Sequence, residues 1–362
     1  MLQKTLQNCR KLALAVARAD APFYLLPPLM LLLVAGTLAQ GPMGLYAAQK
    51  KFFSSFIFWT GPVPLPGGYT LIGLIALSLL VKFLAFSEWS RRRAGINLSH
   101  FGVLILLFGG LLTATGAKES FMVIPEDTES RYLYDYHQRT LYIFENDVLK
   151  LSKPFNELKL RITGVPFDLI VQNICSNCAI VKRANEGNYH GMAKFMALES
   201  TPPSKEPEAD LPGLTFSIAG LKDQDGTYIA FEGMPEPITL YANEKEYKII
   251  FGKRQSMLPF TIRLSDFEKE IYPGTDKARG YSSDIVIVDN GLEWPARIEM
   301  NKPLRYKGYT FYQSSFEQTD KMQATILSVV ENKGRLFPYI GTLIITAGLL
   351  LHLAFVMRGR TA

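Results

Sequence analysis

Four long apolar windows constrain this sequence more than any other feature. Each is close to the ~20 residues that an α-helix needs to cross a lipid bilayer. They cover residues 23–39, 69–86, 99–117 and 337–357. The stretch between the third and fourth windows is much more polar, although 48% of the whole chain is hydrophobic. This split predicts a membrane protein with four transmembrane α-helices, three before and one after a large domain.

Basic residues flank these windows asymmetrically. They are found in the N-terminal segment, in the second connecting loop and in the C-terminal tail: Lys4, Arg10, Lys11, Arg18; Arg91, Arg92, Arg93; Arg358, Arg360. With four spans these regions fall on one side, which the positive-inside rule makes cytoplasmic. The net charge of +6 is accounted for by these flanks and does not indicate nucleic-acid binding.

The windows divide the chain into four predicted parts. Residues 1–22 form a basic cytoplasmic segment, expected to lie at the membrane surface as an amphipathic helix. Residues 23–117 form a three-helix transmembrane region, and residues 118–335 form an extracytoplasmic domain. Residues 336–362 form the fourth helix and a cytoplasmic tail. No small-residue cleavage site follows the first apolar region, so a cleaved signal peptide is not expected.

Short runs of alternating apolar residues fill the predicted outer domain. Examples are TLYIF from Thr140, YKIIF from Tyr247, FTIRLSDF from Phe260 and DIVIV from Asp284. A period of two, with β-branched and aromatic residues and with Gly, Pro, Asn or Asp between runs, indicates strands. Regular spacing without long helical windows predicts an all-β domain that is antiparallel and sandwich-like.

Two of the three cysteines, Cys175 and Cys178, form a C-x-x-C pair in the predicted outer domain. A structural disulfide is the first interpretation, because an extracytoplasmic compartment favours oxidation. A redox-active pair is the second, because this spacing lowers a thiol pKa and eases exchange. A zinc site would need two more ligands, and only His190 is near in sequence. Covalent haem attachment would need a histidine where Ala179 stands.

Two of the four histidines, His100 and His352, lie inside predicted spans. An ionisable group in a span indicates a functional site, and neutral imidazole is a good iron or copper ligand. Counting helical residues from Arg93 and from Arg358 puts the rings ~10 Å and ~9 Å along their helices, at a similar shallow depth. The structural alternative is a pair of polar residues hydrogen-bonded to neighbouring helices.

Small residues accompany one of these histidines. Gly341, Gly348 and His352 share one face of the fourth window, because they are seven and four residues apart. Such a face permits close helix packing, so His352 is expected to face protein rather than lipid. His137 and His190 lie in the outer domain and are expected to be solvated surface residues.

The segments LPFTIRLSDFEKEIYPGTDKARGYSSDIVIVDNG, from Leu258, and NKPLRYKGYTFYQSSF, from Asn301, resemble the ResB (CcsB) family of cytochrome c biogenesis proteins. The order of three spans, outer domain and closing span is also similar, as is a histidine at the start of the third span. The resemblance implies a bacterial inner-membrane protein of the System II route. That route moves haem b outward and joins it to the C-x-x-C-H motif of apocytochrome c.

The resemblance also implies roles for the histidines. His100 matches an axial ligand of haem iron, the second ligand coming from a CcsA-type membrane protein. His352 has no comparably firm counterpart in the family and is kept as a secondary haem-binding candidate. The chain has only three tryptophans, far apart, and so lacks the tryptophan-rich haem loop of the CcsA half. We therefore expect a subunit of a haem lyase, the cytochrome c synthase, with the chemistry mainly on the partner. Apocytochrome c, thiol-disulfide reductases and membrane lipid are the other expected partners.

Two other functions stay open. A scaffold or chaperone would dock apocytochrome c on the outer domain and stabilise the CcsA-type partner, while His100 and His352 only pack. The third possibility is an anchored outer domain of an ABC-type permease. In such permeases the large domain follows the first span, whereas here it follows the third.

Overall fold

The computed structural model of the chain describes residues 21–158, 161–275, 278–319 and 322–360. The predicted surface helix within residues 1–20, together with Cys9, lies outside these residues. The chain divides into two compact units. A helical unit comprises Met1–Lys118 and Glu331–Ala362, and a β unit comprises Glu119–Val330.

Four helices in the described part of the helical unit are long and apolar enough to cross a membrane. They are α1 (Ala21–Met43), α2 (Gly68–Ala85), α3 (Ala94–Gly116) and α4 (Phe337–Arg360). Each coincides with one of the apolar windows, so the prediction of four apolar helices is confirmed.

The connection between α1 and α2 is structured. It contains a helical turn, Leu45–Ala48, a π-helical turn, Gln49–Phe53, and a hairpin of β1 (Ile57–Thr60) and β2 (Val63–Pro66). Phe58 of β1 packs with Leu32 of α1 and Leu71 of α2 in a small buried cluster that fixes the hairpin to both helices.

The β unit is built from short and long strands. In chain order they are β3 (Lys118–Pro125), β4 (Glu129–Glu145), β5 (Val148–Pro154), β6 (Arg161–Ile162), β7 (Asp168–Cys175), β8 (Cys178–Lys182), β9 (Met196–Ser200), β10 (Gly213–Ala219), β11 (Gly226–Phe231), β12 (Ile238–Ala242), β13 (Lys245–Ile271), β14 (Ala278–Asp289), β15 (Leu292–Glu299), β16 (Leu304–Tyr306), β17 (Tyr309–Thr319) and β18 (Met322–Glu331).

The largest sheet has ten strands in the order β15-β14-β13-β4-β3-β18-β17-β16, with β12 beside β13 and β5 beside β4. A second sheet has the order β11-β10-β7-β6, and β8 and β9 form a separate hairpin. The described pairs of neighbouring strands are antiparallel. The predicted antiparallel β domain is therefore confirmed.

The long strands β4 and β13 run through two apolar cores. In the first core Ile143 of β4 and Ile249 of β13 pack with Phe216 of the second sheet, so both sheets contribute to it. In the second core Leu133 of β4 packs with Phe260 of β13. Full burial of a side chain of this size stabilises the folded state by about 1.5–3 kcal/mol, so these two cores hold the β unit together.

The NKPLRYKGYTFYQSSF segment forms the β16–β17 hairpin. Lys307 and Gly308 turn the chain with φ of 44° and 89°, the positive values that a tight hairpin turn requires. Phe311 of β17 is fully buried in the second core. The Tyr306 hydroxyl donates to Asp289 Oδ2 at 2.7 Å, and Lys307 pairs with the same carboxylate. These residues therefore serve the folding of the second core.

Candidate functional site

Helices α3 and α4 pack backbone against backbone. A Cβ built on Gly348 would lie 2.6 Å from the backbone nitrogen of Ser99, and one built on Gly102 would lie 2.9 Å from the carbonyl oxygen of Gly341. Side chains do not approach neighbouring backbone so closely, so only glycine permits this separation. The predicted close packing at Gly341 and Gly348 is confirmed.

The glycines also set an antiparallel register. Three of them on α3 face three on or just before α4: Gly95 with Gly348, Gly102 with Gly341, and Gly109 with Gly334. Within each set the spacing is seven residues, about two helical turns, so the same face returns to the interface each time. The sequence reasoning used only the two glycines of α4, although the same spacing on α3 was available as a signal.

His352 lies at this interface. A Cβ built on Gly95 would lie 2.7 Å from the Cα of His352, so the His352 backbone rests against the first turn of α3. Its ring is partly exposed, and its Nδ1 atom is buried with no hydrogen-bond partner among the described residues. His352 thus packs against protein, as predicted, and keeps an unused ring nitrogen.

His100 lies elsewhere on α3. It is five residues beyond Gly95, which places it roughly 8 Å farther along the axis and turns its side chain by about 140° away from α4. Its ring is partly buried, and its Nδ1 atom likewise has no hydrogen-bond partner in the described part of the chain. His100 therefore projects from a different side of α3 than the one that meets α4, and the expectation that the two histidines lie at a similar depth in the membrane stays a prediction.

Contacts at the start of α3 position His100. The Glu88 carboxylate pairs with Arg93 Nε at 3.1 Å, and buried Asn97 donates from Nδ2 to the Glu88 carbonyl at 3.0 Å. Phe101, the residue after His100, stacks on Phe83 of α2 with ring centroids 5.9 Å apart. These contacts hold the start of α3 beside α2 and the loop that follows it.

Each of the two histidines offers a single nitrogen ligand. Within residues 21–158, 161–275, 278–319 and 322–360 no group of three or more His, Cys, Asp and Glu residues could hold a metal ion. One imidazole suits a metal that arrives already held by another ligand, as iron does in haem. The Nδ1 atoms of His100 and His352 are buried without a hydrogen-bond partner in the described chain, so a metal would have to bind the other ring nitrogen, Nε2.

Cys175 and Cys178 are joined by a disulfide at the turn between β7 and β8. The two residues are only 2% and 5% exposed and pack with Leu198, Ile229 and Phe231. A redox-active pair needs a sulfur that a second thiol can reach. The burial therefore favours the structural interpretation, and a redox role stays a prediction.

The two histidines of the β unit are less exposed than the sequence suggested. His190 stacks on Tyr228 at 5.3 Å, and its Nε2 lies 3.0 Å from the carbonyl oxygen of Asp225. His137 Nδ1 lies 3.9 Å from Glu208 Oε1. Both rings pack against neighbouring side chains, which corrects the expectation of solvated surface residues.

The helices and the β unit together define a class of protein. Four helices in the described chain have the length and apolarity of membrane spans, and a large antiparallel β unit separates the third from the fourth. Two of these helices are joined through glycines and carry the two histidines. The chain is of the class of multi-span membrane proteins with a large β domain.

Comparison with known proteins adds a family resemblance to this structural class. The ResB-like family matches residues 242–338, from the end of β12 to the start of α4. Protein NrfI of Wolinella succinogenes is 32% identical over 117 residues, which are 32% of this chain and 13% of that protein. The chain therefore spans about an eighth of the length of this curated relative. These matches confirm the resemblance to the ResB-like family.

Proposed function

We propose that this chain is a membrane subunit of the System II cytochrome c synthase. With a CcsA-type partner it helps to move haem b outward and to attach it to apocytochrome c. The similarity of residues 242–338 to the ResB-like family supports a role in cytochrome c biogenesis. The observation that carries the haem part is the His100 imidazole, which lies in a helix of spanning length with its ring only partly buried.

The proposal includes an orientation. Helices α1 to α3 and then α4 cross the inner membrane of a bacterium, and both termini lie in the cytoplasm. The exposed arginines of residues 91–93 and Arg358 support this orientation through the positive-inside rule. The β unit is then an extracytoplasmic, sandwich-like domain, which is supported by the core that both of its larger sheets share.

In this proposal His100 is one axial ligand of the transported haem, and the partner supplies the other. Because His100 projects away from α4, its exposed side is available to a porphyrin held between this chain and the partner. His352 is a secondary contact.

The chain and its CcsA-type partner can be co-expressed in bacteria that lack their own cytochrome c assembly. A reporter apocytochrome c then shows haem attachment by haem staining. We expect covalent haem with both proteins and little with the partner alone. Full haem attachment by the partner alone would contradict the proposal.

A second candidate function is a scaffold that docks apocytochrome c without holding haem. The observation that favours it is that residues 242–338, the family match, contain no histidine and lie almost entirely in the β unit. If this function is the correct one, variants at His100 keep normal haem content and normal cytochrome c output.

A further inference from the structure

Strand β13 has an unpaired edge in its middle. On one side β12 pairs with it up to Ile249, and β14 pairs with it from Thr261 onward. On its other side β4 runs along residues 247–257. Among the described strands none fills the gap between β12 and β14, and residues 254–257 are exposed. Within this stretch the Gln255 N–H already donates to the Tyr142 hydroxyl at 2.8 Å, and the remaining backbone N–H and C=O groups of the edge can accept an added strand.

A bulge in β4 lies across from this edge. Residues 135–138 of β4 stand against the single residue Arg254 of β13. The Asp135 carboxylate accepts the backbone N–H groups of His137 and Gln138, each at 2.8 Å, and so stabilises the bulge. Bulges of this kind redirect side chains and interrupt regular pairing, often beside binding sites.

A cavity of about 580 Å³ opens beside the unpaired edge. Its wall is mainly aromatic and aliphatic, with Phe121 of β3, Tyr134 of β4, Phe231 of β11 and Met234 in the following loop. Ile250 of β13 lines it and is 41% exposed. The volume falls in the range of ~300–1,000 Å³ that is usual for ligand pockets, and the wall suits an apolar group.

A cation-rich cluster adjoins the cavity: Glu232 and Lys253 line the wall, and Arg139 contacts Glu232 from outside the lining. Glu232 is contacted by Arg139 Nε at 2.7 Å and by Lys253 Nζ at 3.1 Å. Arg139 is 7% exposed, and its Nη2 atom has no hydrogen-bond partner within the described chain. Glu236, the other carboxylate of the lining, is exposed to solvent. The cluster that is shielded from solvent therefore contains two cations, Arg139 and Lys253, and one carboxylate, Glu232. The Nη2 group of Arg139 remains a donor without a partner in the described chain.

We propose that residues 250–257 and the adjoining cavity, together the β13 edge site, bind an extended peptide segment of a partner protein as an added strand. An apolar side chain of the peptide enters the cavity, and a carboxylate of the peptide pairs with Lys253, whose cluster also contains the buried Arg139. The unpaired edge selects a peptide over a small molecule because it offers a row of backbone hydrogen bonds. The inference concerns the β unit and does not depend on haem binding at His100.

The test measures binding of a fluorescein-labelled peptide, Ser-Thr-Val-Phe-Val-Glu-Val-Thr, to the full-length chain in lipid nanodiscs by fluorescence anisotropy. One control peptide has Lys in place of Glu, and the other is N-methylated at alternate residues so that it cannot pair as a strand. We expect the acidic peptide to bind about tenfold more tightly than either control, because a charge-assisted contact and the strand hydrogen bonds are each lost. Equal affinity for all three peptides would overturn the proposal.

Two variants of the chain are expected to change the affinity for the acidic peptide in opposite directions. Lys253→Met keeps most of the side-chain volume and removes the charge, so we expect about tenfold weaker binding of the acidic peptide. Glu232→Gln removes the carboxylate that competes with the peptide for Lys253, so we expect tighter binding of the acidic peptide. A misfolded variant would bind the peptide less tightly, so misfolding cannot explain this result. Lys222→Glu, at an exposed position of another loop, is the control and should change nothing. Unchanged affinity in both Lys253→Met and Glu232→Gln would overturn the proposal.

Discussion

Gly95 and Gly348 lie back to back where α3 and α4 meet. A Cβ built on Gly95 would lie 2.6 Å from the carbonyl oxygen of Gly348, and one built on Gly348 would lie 2.7 Å from the carbonyl oxygen of Gly95. Because neither residue has a side chain, the two backbones touch, and this geometry allows Cα–H···O contacts between helices. The contact fixes the antiparallel register of α3 and α4.

The first prediction concerns this contact. Gly348→Leu forces a side chain into the backbone of α3, so we expect destabilisation of about 1–3 kcal/mol or more. Thermal unfolding of the full chain in nanodiscs measures the effect. Gly110→Leu is the matched control on α3, because a Cβ there meets nothing within 4 Å. Equal stability of the two variants would contradict the packing described.

The second prediction concerns the disulfide. Replacing Cys175 and Cys178 by serine opens a very short loop, so we expect the β unit to lose about 2 kcal/mol of stability. Native-state labelling with a maleimide after mild reduction should detect little thiol, because both sulfurs are buried. A Cys9→Ser background removes the third cysteine from the readout.

A redox-active pair would behave differently. It would be reduced rapidly in the folded protein, and its loss would lower cytochrome c output without lowering the unfolding temperature. That combination of results would contradict the structural role of the disulfide.

The third prediction concerns pH. Hydrogen bonds from Lys307 and then Tyr306 hold the pKa of the Asp289 carboxyl below its usual range. Burial and then the bond to Asp289 raise the pKa of Tyr306 to about 12. The Asp289 contribution to stability is present above its unfolded pKa and is lost as pH falls through the lowered value. The Tyr306 contribution is present below the ordinary value of 10.0 and is lost as pH rises towards 12.

Unfolding temperatures measured across the pH range separate these two contributions. Tyr306→Phe should remove the alkaline loss, and Asp289→Asn should remove the acid loss. Trp294, 5.2 Å from the Tyr306 ring, provides a near-ultraviolet signal from this core. Tyr312→Phe, at a position that is 42% exposed, is the control. If the chain and Tyr306→Phe lost stability in parallel above pH 10, the assignment would be wrong.

Local patterns made most elements predictable from sequence. The helices are predictable from the length of their apolar runs. Runs such as TLYIF and DIVIV show the alternation that is typical of half-buried strands. By contrast, YKIIF and FTIRLSDF were predicted as two strands, whereas Lys245–Ile271 is one. The polar residues and Pro259 between them look like a loop, but β4 pairs alongside and keeps this stretch extended up to Met257. Pairing between residues more than a hundred positions apart is not visible in a single sequence.

The residue types of the candidate functional site were predictable from the sequence, but their arrangement in space was not. His100 and His352 stand out because ionisable residues in apolar helices are rare. The contact of the His352 backbone with the first turn of α3 depends on the glycine register of two helices, which a residue count from the flanking arginines does not show. The β13 edge site had no sequence signal, because Arg139, Glu232 and Lys253 come together only through the folding of the β unit.

The most direct measurement of the central claim is the haem content of His100→Ala, purified with a CcsA-type partner and quantified by its absorption spectrum. We predict that this variant loses most of its haem and cytochrome c output, and that added imidazole restores the haem spectrum by filling the vacated ligand position. His190→Ala, whose ring packs on Tyr228 in the β unit, should keep its haem. Normal haem content and normal cytochrome c output in a well-expressed His100→Ala variant would contradict the account.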